Sequence, residues 1–351
     1  MPNWTKEQLA AIETSGTNII VSAGAGSGKT AVLTERVLTK IKSGININEL
    51  LILTFTNAAA HEMKERIRKS LKKEGFLEQL AFIDQAYITT FDSFALSIVK
   101  KYHYLFNIPK NVNIVDGTFI AHQKELILDE IFEELYKNRD ENFINLIDMF
   151  CVKDDKQIRE CILNLYAKLT QKANMKDYLE DYLNVYYSED YVKDKFNSYE
   201  KIVKDKINIL KRYLEDISFE VDGDYFRKLE SSLMPLFDVD KFNDIHTLIP
   251  TRLPIIKDTT DLGKEIKTKI SNVLKEISSL TEETKETLIL DYMHTKNSVK
   301  ALIDIILKLD DKVLEYKRLT NYYEFGDIAL MAIKVLENNE DIRLELKNTY
   351  K

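Results

Sequence analysis

The sequence predicts an α/β layer fold with a mostly parallel sheet, followed by a large helical segment. Three observations predict it. Short apolar runs alternate with helix-periodic stretches over the first hundred residues. A glycine-rich loop ending in Gly-Lys-Thr lies between one such run and one such stretch. Beyond about Asp116 the texture changes to long segments rich in Glu, Lys, Leu, Ile and Tyr with helical spacing.

The elements follow in order. Lys6 to Thr14 reads as a short helix with Thr5 as its N-cap. Ile19 to Ser22 reads as a strand, and Lys29 to Lys42 as a helix closed by Gly44. Leu50 to Phe55 is a continuous apolar strand, as a sheet buried on both faces requires. Asn57 to Lys73 is a helix ending before Gly75, and Ala86 to Thr89 is a second short strand. Phe91 to Leu105 is helical and stops before Pro109. Helical spacing then runs over Ile120 to Tyr136, Ile158 to Leu169, Val192 to Phe219, Asp261 to Leu280, Thr284 to Met293 and Asn297 to Asn321. His246, Pro250, Arg252 and Pro254 mark a turn-rich interval. Two helices, Ile328 to Asn338 and Glu340 to Thr349, come last.

Composition narrows the class. A chain of 351 residues that is 44% hydrophobic and 30% charged reads as soluble and globular, with length for two or three domains. No apolar stretch reaches 18 residues, so no membrane span is expected. The first residues lack a secretory segment, and a cytoplasmic location is expected. Cys151 and Cys161 make neither a disulfide framework nor a metal-site spacing, and read as small core residues. The net charge of −7 argues against general affinity for nucleic acid, but it is unevenly spread. Residues 1–115 carry 14 Lys and Arg against 10 Asp and Glu, while the remainder carries 36 against 47.

The loop Ala23-Gly24-Ala25-Gly26-Ser27-Gly28-Lys29-Thr30 carries the most chemistry. Successive N–H groups and the positive end of the following helix can cradle a phosphate. Lys29 can reach the β- and γ-phosphates of a nucleoside triphosphate, and the Thr30 hydroxyl can ligate Mg²⁺. All eight residues, with Arg36 on the helix beyond, are assigned to the nucleotide side, and Lys29 and Thr30 to catalysis.

A second group lies at the ends of the two strands that follow. Thr54, Thr56 and Asn57 sit where a strand meets a helix, and their side chains and N–H groups can hold a phosphate. Phe55 lies between them and reads first as a core strand residue, with contact to a base as the other reading. Phe91 or Phe94 can stack on a base, one of the two being core. Lys64, Arg66, Arg68, Lys69, Lys72 and Lys73 enrich the intervening helix, offset by Glu62, Glu65 and Glu74. The tyrosines Tyr182, Tyr186, Tyr187, Tyr191 and Tyr199 read as packing residues.

Together these segments resemble the N-terminal part of a superfamily 1 DNA helicase of the UvrD/Rep type, and within it the AddA/RecB-like helicase–nuclease subunits. Thr5-Lys6-Glu7-Gln8 resembles the family's adenine-reading motif, which implies that Gln8 binds the base edge. Ala23 to Thr30 resembles its phosphate loop, alanine start included. Leu53 to Ile67 and Thr89 to Phe94 resemble two motifs that contact single-stranded DNA, which implies contacts from Thr54, Phe55, Thr56, Asn57, Thr90, Phe91, Ser93 and Phe94. Tyr323 to Asp327 resembles the segment leading back into the motor domain. Ala58 and Asp92 depart from the family's usual lysine and histidine, and Asp92 reads equally as a helix cap.

The resemblance implies a P-loop NTPase (RecA-like) parallel-sheet domain, incomplete, with a large all-helical inserted subdomain. Residues 1–116 would be the first part of motor domain 1A, 117–315 the insertion (subdomain 1B), and 316–351 the return helices of 1A. The implied cofactors are ATP and Mg²⁺. The implied partners are single-stranded DNA, duplex junction DNA and a possible partner subunit of a helicase–nuclease complex, in a bacterial cytosol. The family's strand-borne Asp-Glu pair is absent where it is expected, so the chain reads as an N-terminal fragment, itself inactive, of an ATP-dependent 3′–5′ helicase of DNA repair or recombination. Two other readings stand beside it. One is a complete small P-loop regulatory ATPase, for which Asp84, at the end of Ala81-Phe82-Ile83, would imitate a metal-binding strand end. The other is a non-catalytic protein- or DNA-binding platform with a relic P-loop.

Overall fold

A computed structural model describes residues 4–24, 26–151, 153–255 and 259–351. Its elements, in chain order, begin with α1 (Lys6–Glu13), α2 (Lys29–Lys42), β1 (Leu51–Thr54), α3 (Asn57–Glu74), α4 (Leu77–Phe82), β2 (Tyr87–Thr90), α5 (Phe91–Lys101) and β3 (Asn113–Ile114). There follow α6 (Gly117–Asn138), α7 (Glu141–Phe150), α8 (Lys156–Leu169), α9 (Met175–Tyr186), α10 (Glu189–Ile217), α11 (Gly223–Phe237), α12 (Ile245–Leu248), α13 (Asp261–Leu280) and α14 (Lys285–Thr320). The last elements are β4 (Tyr322–Tyr323), α15 (Phe325–Asn338) and α16 (Glu340–Thr349). The fold is mostly helical with small parallel sheets. The chain divides into two compact units, 1–129 with 163–173 and 309–351, and 130–162 with 174–308.

In the first unit, β1 and β2 run parallel in the register Leu51↔Tyr87 to Thr54↔Thr90. Parallel neighbours need a crossover, and α3 with α4 supplies it. One face of each helix closes on the pair: Val37, Leu38 and Ile41 of α2 and Met63, Ile67 and Leu71 of α3 form one core with Ile52 and Ile88. Gly75, at φ 81°, ends α3 in the left-handed conformation that a residue without Cβ adopts freely. A second core joins Ile98 and Val99 of α5, and Tyr102 just after it, to Tyr323, Ile328, Ala332 and Val335. There β3 pairs in parallel with β4, bringing residues 113–114 beside residues 322–323.

The strand expected at Ile19 to Ser22 does not form. A strand is held by ladder partners, and among the described residues β1 and β2 pair only with each other. The run is left uncovered, with Ile20 98% exposed and Val21 57%. Three further differences are local. The helix from Phe91 ends at Lys101 and continues as a 3₁₀ turn, His103–Phe106. The two helices expected over 284–321 are one, because α14 runs through 36 residues. Asp84 ends no strand: the apolar run before it belongs to α4 and the turn beyond it.

The second unit is built from helices, with one antiparallel bridge between Val221 and Thr259. Its core lines up Phe196, Val203, Ile207, Leu210, Leu214 and Ile217 along α10, against Leu229 and Leu233 of α11 and Ile266, Ile270 and Ile277 of α13. The three- and four-residue spacing along α10 is what makes one buried stripe on a 29-residue helix. The tyrosines pack as expected: Tyr182 lies 4.4 Å from Tyr186, Tyr187 stacks on Tyr292 at 5.0 Å, and Tyr199 donates to Leu280 O. Cys161 departs from its core reading and is exposed; Cys151 is half-buried. No helix among the described residues is long and apolar enough to cross a membrane.

Candidate nucleotide and single-strand site

The glycine loop meets α2 at Gly28, the N-cap. Gly26 and Gly28 both have positive φ, 76° and 81°, so the turn into the helix is one that other residues would enter with strain. The first turn of α2 carries N–H groups without intrahelical partners, and no side chain caps them. Nothing lies within 4 Å of where a Cβ on Gly24 or Gly26 would sit. Lys29 Nζ donates to Ala23 O and Gly24 O, both at 2.9 Å, so the ammonium folds back over the loop. Ser27 Oγ donates to Gly24 O at 2.8 Å, and Thr30 is half-buried at the helix start. Open backbone N–H groups with a lysine over them fit a phosphate group. Ala25 lies outside the described residues.

Two other residues assigned to the nucleotide bear on α1, one from within it and one from α2. Gln8 completes a capping box with Thr5, its Oε1 accepting from Thr5 N–H at 2.9 Å, while its Nε2 donates to Ser27 O at 3.1 Å. Arg36 stands on α2, and its Nη1 donates to Ala11 O (2.6 Å), Thr14 O (2.8 Å) and Ile12 O (3.4 Å) at the end of α1.

The second group gathers at the carboxyl ends of β1 and β2. The register pairs Thr54 with Thr90, so Phe55 and Phe91 emerge side by side, ring centroids 6.1 Å apart. Both rings are exposed, Phe55 at 95% and Phe91 at 56%. The core reading of Phe55 is therefore corrected: it lies one residue past the paired strand, where the chain leaves the sheet. Of the other two phenylalanines' alternatives, Phe94 is the packed one, meeting Tyr87 at 5.5 Å and Tyr350 at 5.9 Å. Thr56 and Asn57 are exposed, and the Thr56 hydroxyl caps α3 by accepting from Ala59 N–H. Thr90 is buried and caps α5 through Ser93 N–H, so Asp92 is not the cap. Thr54 is half-buried and donates to Thr56 O. Two helix N-termini thus meet at one edge beside two uncovered aromatic rings.

Half of the cations named on the basic helix are paired. Arg66 pairs with Glu62, Arg68 with Glu65 and Asp84, and Lys64 with Asp84. The Lys64 hydrogen bond and charge, with Arg68, hold the Asp84 carboxyl below its ordinary range. The role of Asp84 here is an ion pair on α3. Sequence reasoning missed this pairing and the juxtaposition of the two strand ends. A readable signal for the latter existed, since both strands end in Thr-Phe.

Residues 4–351 match the family described as the UvrD/REP helicase N-terminal domain. The chain is similar to the AddA component of the ATP-dependent helicase/nuclease of Clostridioides difficile (strain 630), at 28% identity over 97% of this chain and 30% of the relative. The proteins of the same name from Clostridium novyi (strain NT) and Thermoanaerobacter sp. (strain X514) are 29% and 31% identical, over 99% and 95% of this chain. The chain spans 31% and 30% of their lengths.

Proposed function

The chain belongs to the UvrD/REP helicase N-terminal domain family, and from that premise we propose that it is the ATP- and single-strand-binding portion of an ATP-dependent 3′–5′ DNA helicase of repair or recombination. The observation that carries the reading is the β1–β2 register, which sets two exposed rings and two helix N-termini at one edge of the core that also holds α2. Such an edge suits an unpaired strand: rings stack on any base, and N–H groups take phosphate without reading sequence.

On this reading Ala23 to Thr30 bind the triphosphate of ATP, Lys29 meets the β- and γ-phosphates, Thr30 would supply the chain's oxygen to Mg²⁺, and Gln8 contacts the base. A metal bound there would supply positive charge against the phosphate oxygens. Lys29 must leave the carbonyls of Ala23 and Gly24 to do its part, so it exchanges two hydrogen bonds for phosphate contacts. Thr54, Phe55, Thr56, Asn57, Thr90, Phe91, Ser93 and Phe94 form the single-strand side. Of these, Phe55, Phe91, Thr56, Asn57 and Ser93 are the exposed ones that touch DNA, and the others hold the edge in place. Residues 1–116 and 316–351 are assigned to motor domain 1A and 117–315 to a helical insertion that guides duplex junction DNA or meets a partner subunit, in the bacterial cytosol.

Titration with a fluorescent ATP analogue, with and without Mg²⁺, tests the nucleotide assignment. Lys29→Ala is expected to abolish binding and Thr30→Ala to remove its Mg²⁺ dependence. Wild-type titrations from both variants would refute it. The 351-residue chain by itself is expected to bind without turnover, and DNA-stimulated phosphate release from it would overturn that part.

A further inference from the structure

We infer that Arg36 is a positioning residue that sets the discrimination between nucleotide bases through α1, without touching the nucleotide. The inference rests on the proposed reading of Gln8 as the base contact. The helix α1 has eight residues, too few to hold its own conformation in water. Its place is set from α2, the helix that carries Lys29 and Thr30. Ala11 and Ile12 are buried on one side. At the far end, the last carbonyls of α1 have no intrahelical partners, and the Arg36 guanidinium satisfies those of Ala11, Ile12 and Thr14. A cation there also complements the negative end of the helix. Arg36 is half-buried and its Nη1 is committed to these three oxygens, so it acts through α1.

The opposite end of α1 meets the loop. Gln8 joins Thr5 N–H to Ser27 O, so α1 is tied to the loop-and-helix unit at both ends. Nε2 of Gln8 lies 3.6 Å from where a Cβ on Gly28 would stand. Packing and Arg36 both anchor the C-terminal turn of α1, and loosening that anchor would let Gln8, one turn earlier, swing away from the loop. A lysine at position 36 keeps the charge and three donors on one nitrogen, but that nitrogen stands one bond nearer the backbone than Arg36 Nη1 and reaches the carbonyls less fully.

The test titrates ATP, GTP and inorganic tripolyphosphate against wild type, Gln8→Ala, Arg36→Ala, Arg36→Lys and the Gln8→Ala/Arg36→Ala pair. Gln8→Ala is expected to remove the preference for ATP over GTP. Arg36→Ala is expected to lower that preference about tenfold, the scale of one charged hydrogen bond, with tripolyphosphate affinity changed less than about twofold. Arg36→Lys should restore part of it, and the pair should discriminate no worse than Gln8→Ala alone. Equal weakening of all three ligands by Arg36→Ala, or unchanged preference where Gln8→Ala abolishes it, overturns the inference. If Gln8→Ala keeps the preference, the reading of Gln8 is what fails. Hydrogen exchange at Gly26 to Thr30 then decides for Arg36: faster exchange in Arg36→Ala supports the strap, and unchanged exchange overturns it.

Discussion

Truncating Phe55 separates the proposed DNA role of the strand ends from a structural one. Phe55 is 95% exposed, so Phe55→Ala removes almost no packing and should alter stability by no more than about 0.5 kcal/mol. A base stacked on an aromatic ring is worth about 1–3 kcal/mol by alanine substitution. The ring lies 6.1 Å from that of Phe91 and is otherwise open to meet a base, so about 1–2 kcal/mol applies, or roughly 5–30-fold in Kd. Phe91→Ala should cost a similar amount. The double variant should cost less than the sum, because the two rings are close enough to serve one base. Neither change removes a phosphate contact, so the salt dependence of binding should keep its slope. Anisotropy of a labelled oligo-dT at two salt concentrations, beside a urea melt, measures all of this. Wild-type affinity from the folded Phe55→Ala variant would refute the reasoning, and so would a loss expressed only as a changed salt slope.

Other expectations concern what holds each unit together. Lys317 is 3% exposed and its Nζ donates to Glu324 at 2.8 Å and to both oxygens of Asp327 at 2.8 and 2.7 Å. Lys317→Met leaves two half-buried carboxylates with Lys124 as the remaining cation and should cost about 3 kcal/mol at pH 7, measured by urea unfolding. Burial pushes the Glu324 carboxyl up, but hydrogen bonds and charge from Lys317 and Lys124 outweigh it and leave it below its ordinary value. Its stabilisation is therefore complete above the unfolded value near 4.5 and fades as pH falls through the folded one. The penalty of Lys317→Met should shrink in acid, and a cost constant down to the acid limit would contradict the pairing. In the second unit, a Cβ on Gly263 would press into Thr259 Oγ1 and lie 3.2 Å from Glu220 Cβ. Gly263→Ala should cost about 1–3 kcal/mol, partly restored by adding Thr259→Ala, as read by thermal melting. Thr56→Ala removes the cap of α3 and should cost about 1 kcal/mol, with faster amide exchange confined to Ala58 to Ala60.

Much of this protein was legible in its residues. Thr5, Gly44 and Gly75 marked helix ends because caps are local chemistry, settled within three or four residues. The helix α13 matches its expected bounds, since a continuous apolar stripe and polar flanks report burial directly, and α16 matches as well although none of its residues is buried. The helices α7, α9 and α11 were passed over; α11 carries Pro235 within it, which reads locally as a break. The loop at residues 23–30 was visible because its chemistry depends on consecutive residues.

What the sequence by itself determined was most of the helical segments, where the phosphate loop lies and which family it resembles. Only the tertiary structure decided that Ile19 to Ser22 lacks a strand partner, that Phe55 is uncovered while Phe94 is packed, and that Arg36 reaches back to α1. The physical reason is range. Caps and periodicity are energies between residues a few positions apart, whereas strand pairing and side-chain exposure depend on which distant segment arrives alongside. Thr54 and Thr90 stand 36 positions apart in the chain, and only their parallel register makes neighbours of the two rings that follow.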